Sequence, residues 1–126
     1  MENPAPLPAR AMTPHERSVL DMLLDGDFPG AVALRAQAGH ARVVAMCQCG
    51  CGSFDVDVVE PDISRADLPN GLVPQELAVT DVDGMPYGAI IMFVRDGRLS
   101  YLDYHTWGDR PLTGLPPIEH LSMVSR

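Results

Sequence analysis

The amino-acid sequence predicts an α+β domain in which a helical hairpin precedes an antiparallel sheet. Apolar residues recur at helical spacing in the first third of the chain and alternate with a period of two after residue 40. Short turns containing glycine and proline separate the later segments, which favours antiparallel neighbours. We therefore expect an N-terminal helical hairpin packed on a roughly five-stranded antiparallel meander sheet, followed by an irregular Pro-rich C-terminal tail.

Chain length and composition predict one folded domain preceded by a flexible arm. The 126 residues are enough to build one hydrophobic core. Residues 1–11 contain three prolines and few apolar side chains, which is typical of a mobile segment. We expect a flexible arm over residues 1–11 and a single α+β domain over residues 12–126.

Two helices are predicted in the first third of the chain. Thr13 as N-cap, followed by Pro14 and Glu16, forms the capping-box pattern that starts a helix. The apolar stripe of this helix consists of Val19, Leu20, Leu23 and Leu24. Gly26 should end it, and a second short helix is expected over about Ala31–Ala38.

About five strands are predicted after residue 40 from alternation and turn signals. Their expected bounds are Ala41–Cys47, Ser53–Glu60, Gln75–Val82, Gly88–Arg95 and Arg98–Thr106. Asp96-Gly97 is the strongest hairpin signal in the chain. The prolines of Pro61–Pro74 predict a loop, and those of Trp107–Arg126 predict an irregular tail lying over the sheet.

The net charge of −8 restricts the kinds of partner that the protein is expected to bind. Phosphate binding needs a basic surface, so nucleic acid is not an expected partner. Acidic residues are dense between Ser53 and Asp83, where Arg65 is the single base. They are Asp55, Asp57, Glu60, Asp62, Asp67, Glu76, Asp81 and Asp83. This segment would attract a basic protein partner or a cation, or it forms a solvated acidic face.

The expected location is the cytoplasm. No apolar run approaches the roughly 20 residues that a membrane span needs, and the first residues lack the apolar region of a signal peptide. No membrane association is therefore expected. In a reducing compartment, the three cysteines of the chain favour free thiols or metal ligands over structural disulfides.

The stretch Cys47-Gln48-Cys49-Gly50-Cys51 holds all three cysteines. In an extended strand, alternate cysteines project to one side and could hold a soft cation such as zinc, with a histidine as fourth ligand. The candidate histidines are His40, His105 and His120. Two other interpretations stay open, namely a labile Cys-x-Cys disulfide of a thiol-redox protein and structural cysteines in a glycine-assisted turn.

Other catalytic patterns are weak. Asp103 and His105 alternate on one face of a predicted strand, where they could serve acid–base chemistry or form the polar face of an edge strand. The chain contains no nucleophile elbow and no nucleotide-binding glycine fingerprint. We therefore predict a protein without enzymatic activity and without a catalytic residue.

Several short motifs together resemble a family of small, uncharacterised actinomycete proteins with a Cys-x-Cys-Gly-Cys motif. The motifs are Thr13-Pro14-His15-Glu16-Arg17, Asp27-Phe28-Pro29-Gly30, Leu34-Arg35-Ala36-Gln37, Cys47-Gln48-Cys49-Gly50-Cys51, Val94-Arg95-Asp96-Gly97-Arg98-Leu99-Ser100 and Trp107-Gly108-Asp109. The family's function is unknown, so the resemblance implies no activity. In the family pattern proline follows the cysteines, whereas this chain has Gly52. The segment Leu99–Asp109 is also loosely similar to strands of bacterial toxin-immunity proteins.

Together these observations predict a small acidic cytoplasmic binding protein, immunity-like or regulatory, that recognises a basic protein partner and needs no cofactor. The alternative is a zinc-binding protein that uses Cys47, Cys49 and Cys51, with His40 or His105 completing the site. A thiol-redox protein is the third hypothesis.

Overall fold

The computed structural model describes residues 4–108 and 113–125 of the chain, with the side chains of Pro4 and Ser125 left out. The described residues form two α-helices, one 3-10 helix and eight strands. The helices are α1 (Pro14–Leu23) and α2 (Ala31–Ala38), and Ile118–His120 form the 3-10 turn. The strands are β1 (Pro4–Ala11), β2 (Ala41–Cys47), β3 (Phe54–Val58), β4 (Gly71–Leu72), β5 (Gln75–Thr80), β6 (Pro86–Arg95), β7 (Arg98–Thr106) and β8 (Leu121–Ser125).

All eight strands belong to one antiparallel sheet of order β1-β2-β3-β7-β6-β5-β8, with β4 also paired to β6. The architecture is consistent with the predicted α+β class. The predicted sheet of about five strands in a meander is wrong, because the sheet is larger and β3 pairs with the distant β7. No helix of the described residues is long and apolar enough to cross a membrane.

The three additional strands lie in segments whose prolines predicted an arm, a loop and a tail. Residues 4–11 form β1 at one edge of the sheet, β4 lies within Pro61–Pro74, and β8 lies within Trp107–Arg126. Proline is tolerated in an edge strand, where one row of backbone groups has no neighbour to bond. Residues 1–3 of the predicted arm and residues 109–112 and 126 of the predicted tail lie outside the described residues.

The core lies between the two helices and one face of the sheet, which we call the inner face. Along β6, Ile90, Met92 and Val94 point inward and are buried, as period-two alternation predicts. The helices contribute their apolar stripe, with Val19, Leu20, Leu23, Leu24 and Leu34 all at most 1% exposed. The two helices thus pack on one face of the sheet.

The N-terminus of α1 has the predicted capping box. The Glu16 N–H donates to Thr13 Oγ1 at 3.1 Å, and the Thr13 N–H donates to Glu16 Oε1 at 2.8 Å. Beyond the other end of α1, Arg35 of α2 donates to the carbonyl oxygens of Leu24 and Gly26 at 2.8 and 2.9 Å. Both ends of α1 therefore have partners for backbone groups that the helix leaves unpaired.

Arg10 joins the edge strand β1 to α1. Its guanidinium donates to both carboxylate oxygens of Glu16, at 2.8 and 3.0 Å. Burial alone would raise the pKa of Glu16, but the hydrogen bonds from Arg10 and Thr13 and the positive charge of Arg10 together lower it below its ordinary value. The pair fixes the residues predicted to form a flexible arm onto the folded domain.

We expect Arg10→Met to lower the free energy of unfolding at pH 7 by about 2 kcal/mol, because it leaves the buried Glu16 carboxylate with fewer donors. A lowered folded-state pKa contributes stability above the unfolded pKa, and this contribution is lost as pH falls through the folded pKa. The gap between wild type and variant should therefore narrow below about pH 4. Urea unfolding at pH 7 and in acid measures both effects.

Arg17→Met is the matched control for this prediction. Arg17 forms an exposed pair with Asp21 at 2.8 Å within α1, and such surface pairs contribute about 0.5 kcal/mol or less. Equal losses in the two variants at pH 7 would show that the Arg10 contact does not stabilise the fold.

Candidate metal site

The cysteines lie in the connection between β2 and β3 at one end of the sheet. Cys47 is the last residue of β2, and its N–H donates to the Ser53 carbonyl at 3.0 Å, which closes the connection just before β3. Gly50 and Gly52 have φ angles of 83° and 96°, a region that favours glycine. The two glycines let the chain reverse direction between the antiparallel strands β2 and β3, as expected for a glycine-assisted strand connection.

The three cysteine sulfurs converge. All three Sγ atoms lie within 4.8 Å of one another, and the Sγ atoms of Cys47 and Cys49 are 2.8 Å apart. Cys49 is exposed, Cys47 is partly exposed, and Cys51 is buried at 3% exposure. The prediction placed the sulfurs along one side of an extended strand, whereas a turn brings them together. Three sulfur donors at this spacing suit a soft cation.

Backbone N–H groups point at two of the sulfurs. The Cys51 N–H donates to Cys49 Sγ and the Ser53 N–H donates to Cys51 Sγ, both at 3.4 Å. Such donors orient metal-binding thiolates and stabilise their negative charge. The loop therefore supplies three sulfur atoms that could bind a metal ion and two N–H groups that donate to them.

Ser53 anchors the buried cysteine to the sheet. Its side chain is 1% exposed, and its Oγ accepts the Tyr104 N–H at 2.8 Å and lies 3.3 Å from the Tyr104 carbonyl. The Cys51 thiol donates to the same Oγ at 3.1 Å. No local sequence pattern indicates this role, because it depends on the pairing of β3 with the distant β7.

Charged groups at the site affect the pKa of Tyr101 on β7. Burial raises the pKa of Tyr101 to about 12, and the negative charges of Asp103, Cys47 and Cys51 add to this rise, while a hydrogen bond with Ser53 opposes it. The phenol is therefore protonated at neutral pH. Its hydrogen bond with Ser53 joins it to the residue that contacts Cys51.

The structure brings Cys47, Cys49 and Cys51 together but not the predicted histidine ligands. His40 is exposed and precedes β2, so the length of that strand, about 20 Å, separates it from Cys47. His105 Nδ1 lies 2.8 Å from Asp103 Oδ2, and its ring faces Trp107 at 6.5 Å. His120 lines a cavity of about 330 Å³ with Tyr104 and Leu115. Among the described residues, the metal-capable cluster consists of the cysteines alone.

The acidic segment does not gather into one surface. Asp57 and Glu76 lie on β3 and β5, which β7 and β6 separate in the sheet, and Asp62 and Asp67 lie in the loop before β4. Asp81 has a local role, because its Oδ1 accepts the N–H groups of Asp83 and Met85 in the turn after β5. The acidic residues are therefore close together in the sequence but spread over different parts of the fold.

No family model, no curated protein and no solved structure matches this chain. The class that fold and site define is a small α+β protein with a three-cysteine cluster at one end of an antiparallel sheet.

We expect Gly52→Ala to disturb the site. The φ of 96° disfavours any residue with a side chain, and an added Cβ would lie 2.8 Å from the Leu115 nitrogen and 3.1 Å from its Cγ. The strain should lower the free energy of unfolding by about 1–3 kcal/mol. Gly84→Ala is the control, because it also has a positive φ of 81° but no atom within 4 Å of an added Cβ. Thermal melting should show the larger loss for Gly52, and the opposite order would contradict the packing of 114–115 on the loop.

Proposed function

We propose that this protein binds a soft transition-metal ion, with zinc as the first candidate, through Cys47, Cys49 and Cys51. The observation that carries the proposal is the convergence of the three Sγ atoms within 4.8 Å. Thiolates are the preferred ligands of zinc and copper(I) in proteins. No other part of the described chain concentrates metal ligands in this way.

A small side-chain adjustment would bring the sulfurs to the spacing that zinc requires. A Zn–S bond of about 2.3 Å in tetrahedral geometry separates the sulfurs by about 3.8 Å. Rotations about the Cα–Cβ bonds of Cys47 and Cys49 would open their 2.8 Å contact to this value within the existing loop. Cys51, held by Ser53, would serve as the fixed ligand.

The chain supplies three ligands, so a fourth position remains for water or for a group from another molecule. Three protein ligands with one open position are typical of zinc sites that bind or exchange a further ligand. Because Cys49 is exposed, we expect this position to face solvent. We therefore propose an accessible metal site rather than a purely structural one.

A purely structural role accounts less well for the same cysteines. Structural cysteines are usually buried and inert, and only Cys51 is buried here. The exposed Cys49 contributes little packing, yet its sulfur receives a backbone N–H. This arrangement favours a ligand role for Cys49.

Elemental analysis of protein purified without a histidine tag tests the proposal. We expect about one equivalent of zinc, and a lower melting temperature after chelation, because a ligand that binds the folded state stabilises it. The variant Cys47→Ser/Cys49→Ser/Cys51→Ser should lose the metal, and the control His40→Ala should keep it. Less than about a tenth of an equivalent in the wild type, with unchanged melting, would refute the proposal.

We also propose recognition of a basic protein partner, now at a defined place on the outer face of the sheet, opposite the helices. The aromatic–acidic patch consists of Asp55, Phe93, Tyr101 and Asp103. Asp55 pairs with Tyr101 across β3 and β7, Phe93 lies 6.0 Å from Tyr101 between ring centres, and burial raises the pKa of Asp55. An arginine or lysine docked here would contact carboxylates and aromatic faces together.

Titration with a poly-arginine peptide at low and moderate salt tests this second proposal. Asp55→Asn/Asp103→Asn should weaken binding at least severalfold, whereas Asp62→Asn/Asp67→Asn, with the same change in net charge, should weaken it less. Equal weakening would show that only net charge attracts the peptide.

A further inference from the structure

Cys47 and Cys49 form a pair with properties that metal binding alone does not require. Their Sγ atoms are 2.8 Å apart, which is within about 1 Å of the length of a disulfide bond. Both belong to the described connection between β2 and β3, whose glycines give the backbone freedom to adjust. A bond between these two sulfurs therefore needs a small local movement.

Accessibility distinguishes this pair from the third cysteine. Cys49 is exposed and Cys47 is partly exposed, so a small dissolved molecule can reach both sulfurs. Cys51 is 3% exposed, and its sulfur is engaged by the Ser53 hydroxyl at 3.1 Å and the Ser53 N–H at 3.4 Å. Burial and these hydrogen bonds keep Cys51 out of exchange with a molecule in solution.

We propose that Cys47 and Cys49 are a dithiol–disulfide pair that exchanges with small-molecule disulfides of the glutathione class. The Cys49 thiolate attacks one sulfur of the small disulfide, whose S–S bond breaks, and the first small thiol leaves with a proton from solvent. The Cys47 thiolate then attacks the Cys49 sulfur of the mixed disulfide, and the second small thiol leaves. In sum, two protein thiols are oxidised to one disulfide while one small disulfide is reduced to two thiols.

Cys49 is the attacking residue because of its surroundings. It is the most exposed of the three cysteines, and its sulfur accepts the Cys51 N–H at 3.4 Å. Cys47 lies beside it and resolves the mixed disulfide before a second small thiol can react. Where the metal proposal also holds, this oxidation removes two of the three ligands and releases the ion, so the redox state of the pair controls the site.

The experiment uses the full chain, reduced and stripped of metal with a chelator, so that its outcome does not depend on metal binding. The protein is equilibrated with mixtures of reduced and oxidised glutathione, alkylated, and analysed by mass spectrometry of the intact chain and of its peptides. We expect a Cys47–Cys49 disulfide that forms as oxidised glutathione increases and disappears when reduced glutathione is restored.

Variants assign the roles of the individual cysteines. Cys51→Ser should form the same internal disulfide. Cys47→Ser should accumulate a glutathione adduct on Cys49, and Cys49→Ser should react more slowly than Cys47→Ser. Wild-type protein that stays reduced, that carries only stable glutathione adducts, or whose internal disulfide includes Cys51 would overturn the proposal.

Zinc measured in the same batches of protein, before the chelator removes the metal, separates this proposal from the metal proposal. A reversible Cys47–Cys49 disulfide in a protein that binds no zinc would support the exchange activity and refute the metal site. Stoichiometric zinc with no disulfide at any glutathione ratio would support the metal site and refute the exchange activity.

Discussion

Gln37→Leu is expected to lower the free energy of unfolding by about 3 kcal/mol, because it leaves buried backbone groups without partners. Gln37 of α2 is fully buried, and its Nε2 donates to the carbonyl oxygens of Ser64 and Gly97 at 3.0 and 2.8 Å. Its Oε1 accepts the Leu99 N–H at 2.9 Å. One side chain thus connects α2, the loop before β4 and the β6–β7 turn.

Gln75→Leu provides the comparison for this prediction. Gln75 is also buried, and its Nε2 donates to the Leu23 carbonyl at 2.8 Å. We expect a loss of about 1–2 kcal/mol for Gln75, since fewer backbone groups lose a partner. Urea denaturation measures both variants. A loss for Gln37 that does not exceed the loss for Gln75 would show that the three-way connection does not stabilise the fold as argued.

Cys51→Ser is expected to weaken zinc binding by about a hundredfold. Zinc sites built from thiolates bind with about 10 kcal/mol or more, so each of three ligands contributes about 3 kcal/mol, or roughly a factor of one hundred. Serine keeps the size of the side chain but is a poor ligand for a soft cation. Competition with a chromophoric zinc chelator measures the affinity.

Two further variants show whether the effect belongs to the site. Ser53→Ala removes the hydroxyl that contacts Cys51 Sγ at 3.1 Å and should weaken binding about tenfold, as expected of a group that orients a ligand. His105→Ala should leave the affinity unchanged, because the metal-capable cluster of the described residues does not include this histidine. Wild-type affinity in Cys51→Ser would exclude the buried sulfur as a ligand.

The two helices and five of the strands were predictable because their signals are local. The capping box at Thr13 fixes the start of α1, and the predicted bounds of α2, β2 and β7 agree with the structure. β1, β4 and β8 were missed. β1 contains three prolines, β4 has only two residues, and β8 follows prolines that predicted an irregular tail. The contact between Arg10 and Glu16 likewise depends on the pairing of β1 with β2.

The site was predictable in composition but not in geometry. The spacing of the cysteines indicated a cluster, yet their convergence comes from a turn with two glycines at positive φ. The histidines were predicted as ligands from their positions along the chain. His40 is distant from the cysteines because β2 lies between it and Cys47. Ser53 and Tyr101 join the cysteines only through the pairing of β3 with β7.

X-ray absorption at the zinc edge of the metal-loaded protein tests the metal site most directly, because it counts the sulfur atoms bound to the ion. The geometry of Cys47, Cys49 and Cys51 predicts three sulfur neighbours at about 2.3 Å, with a lighter atom in the remaining position. A first shell of oxygen and nitrogen with one sulfur or none would contradict the proposed site.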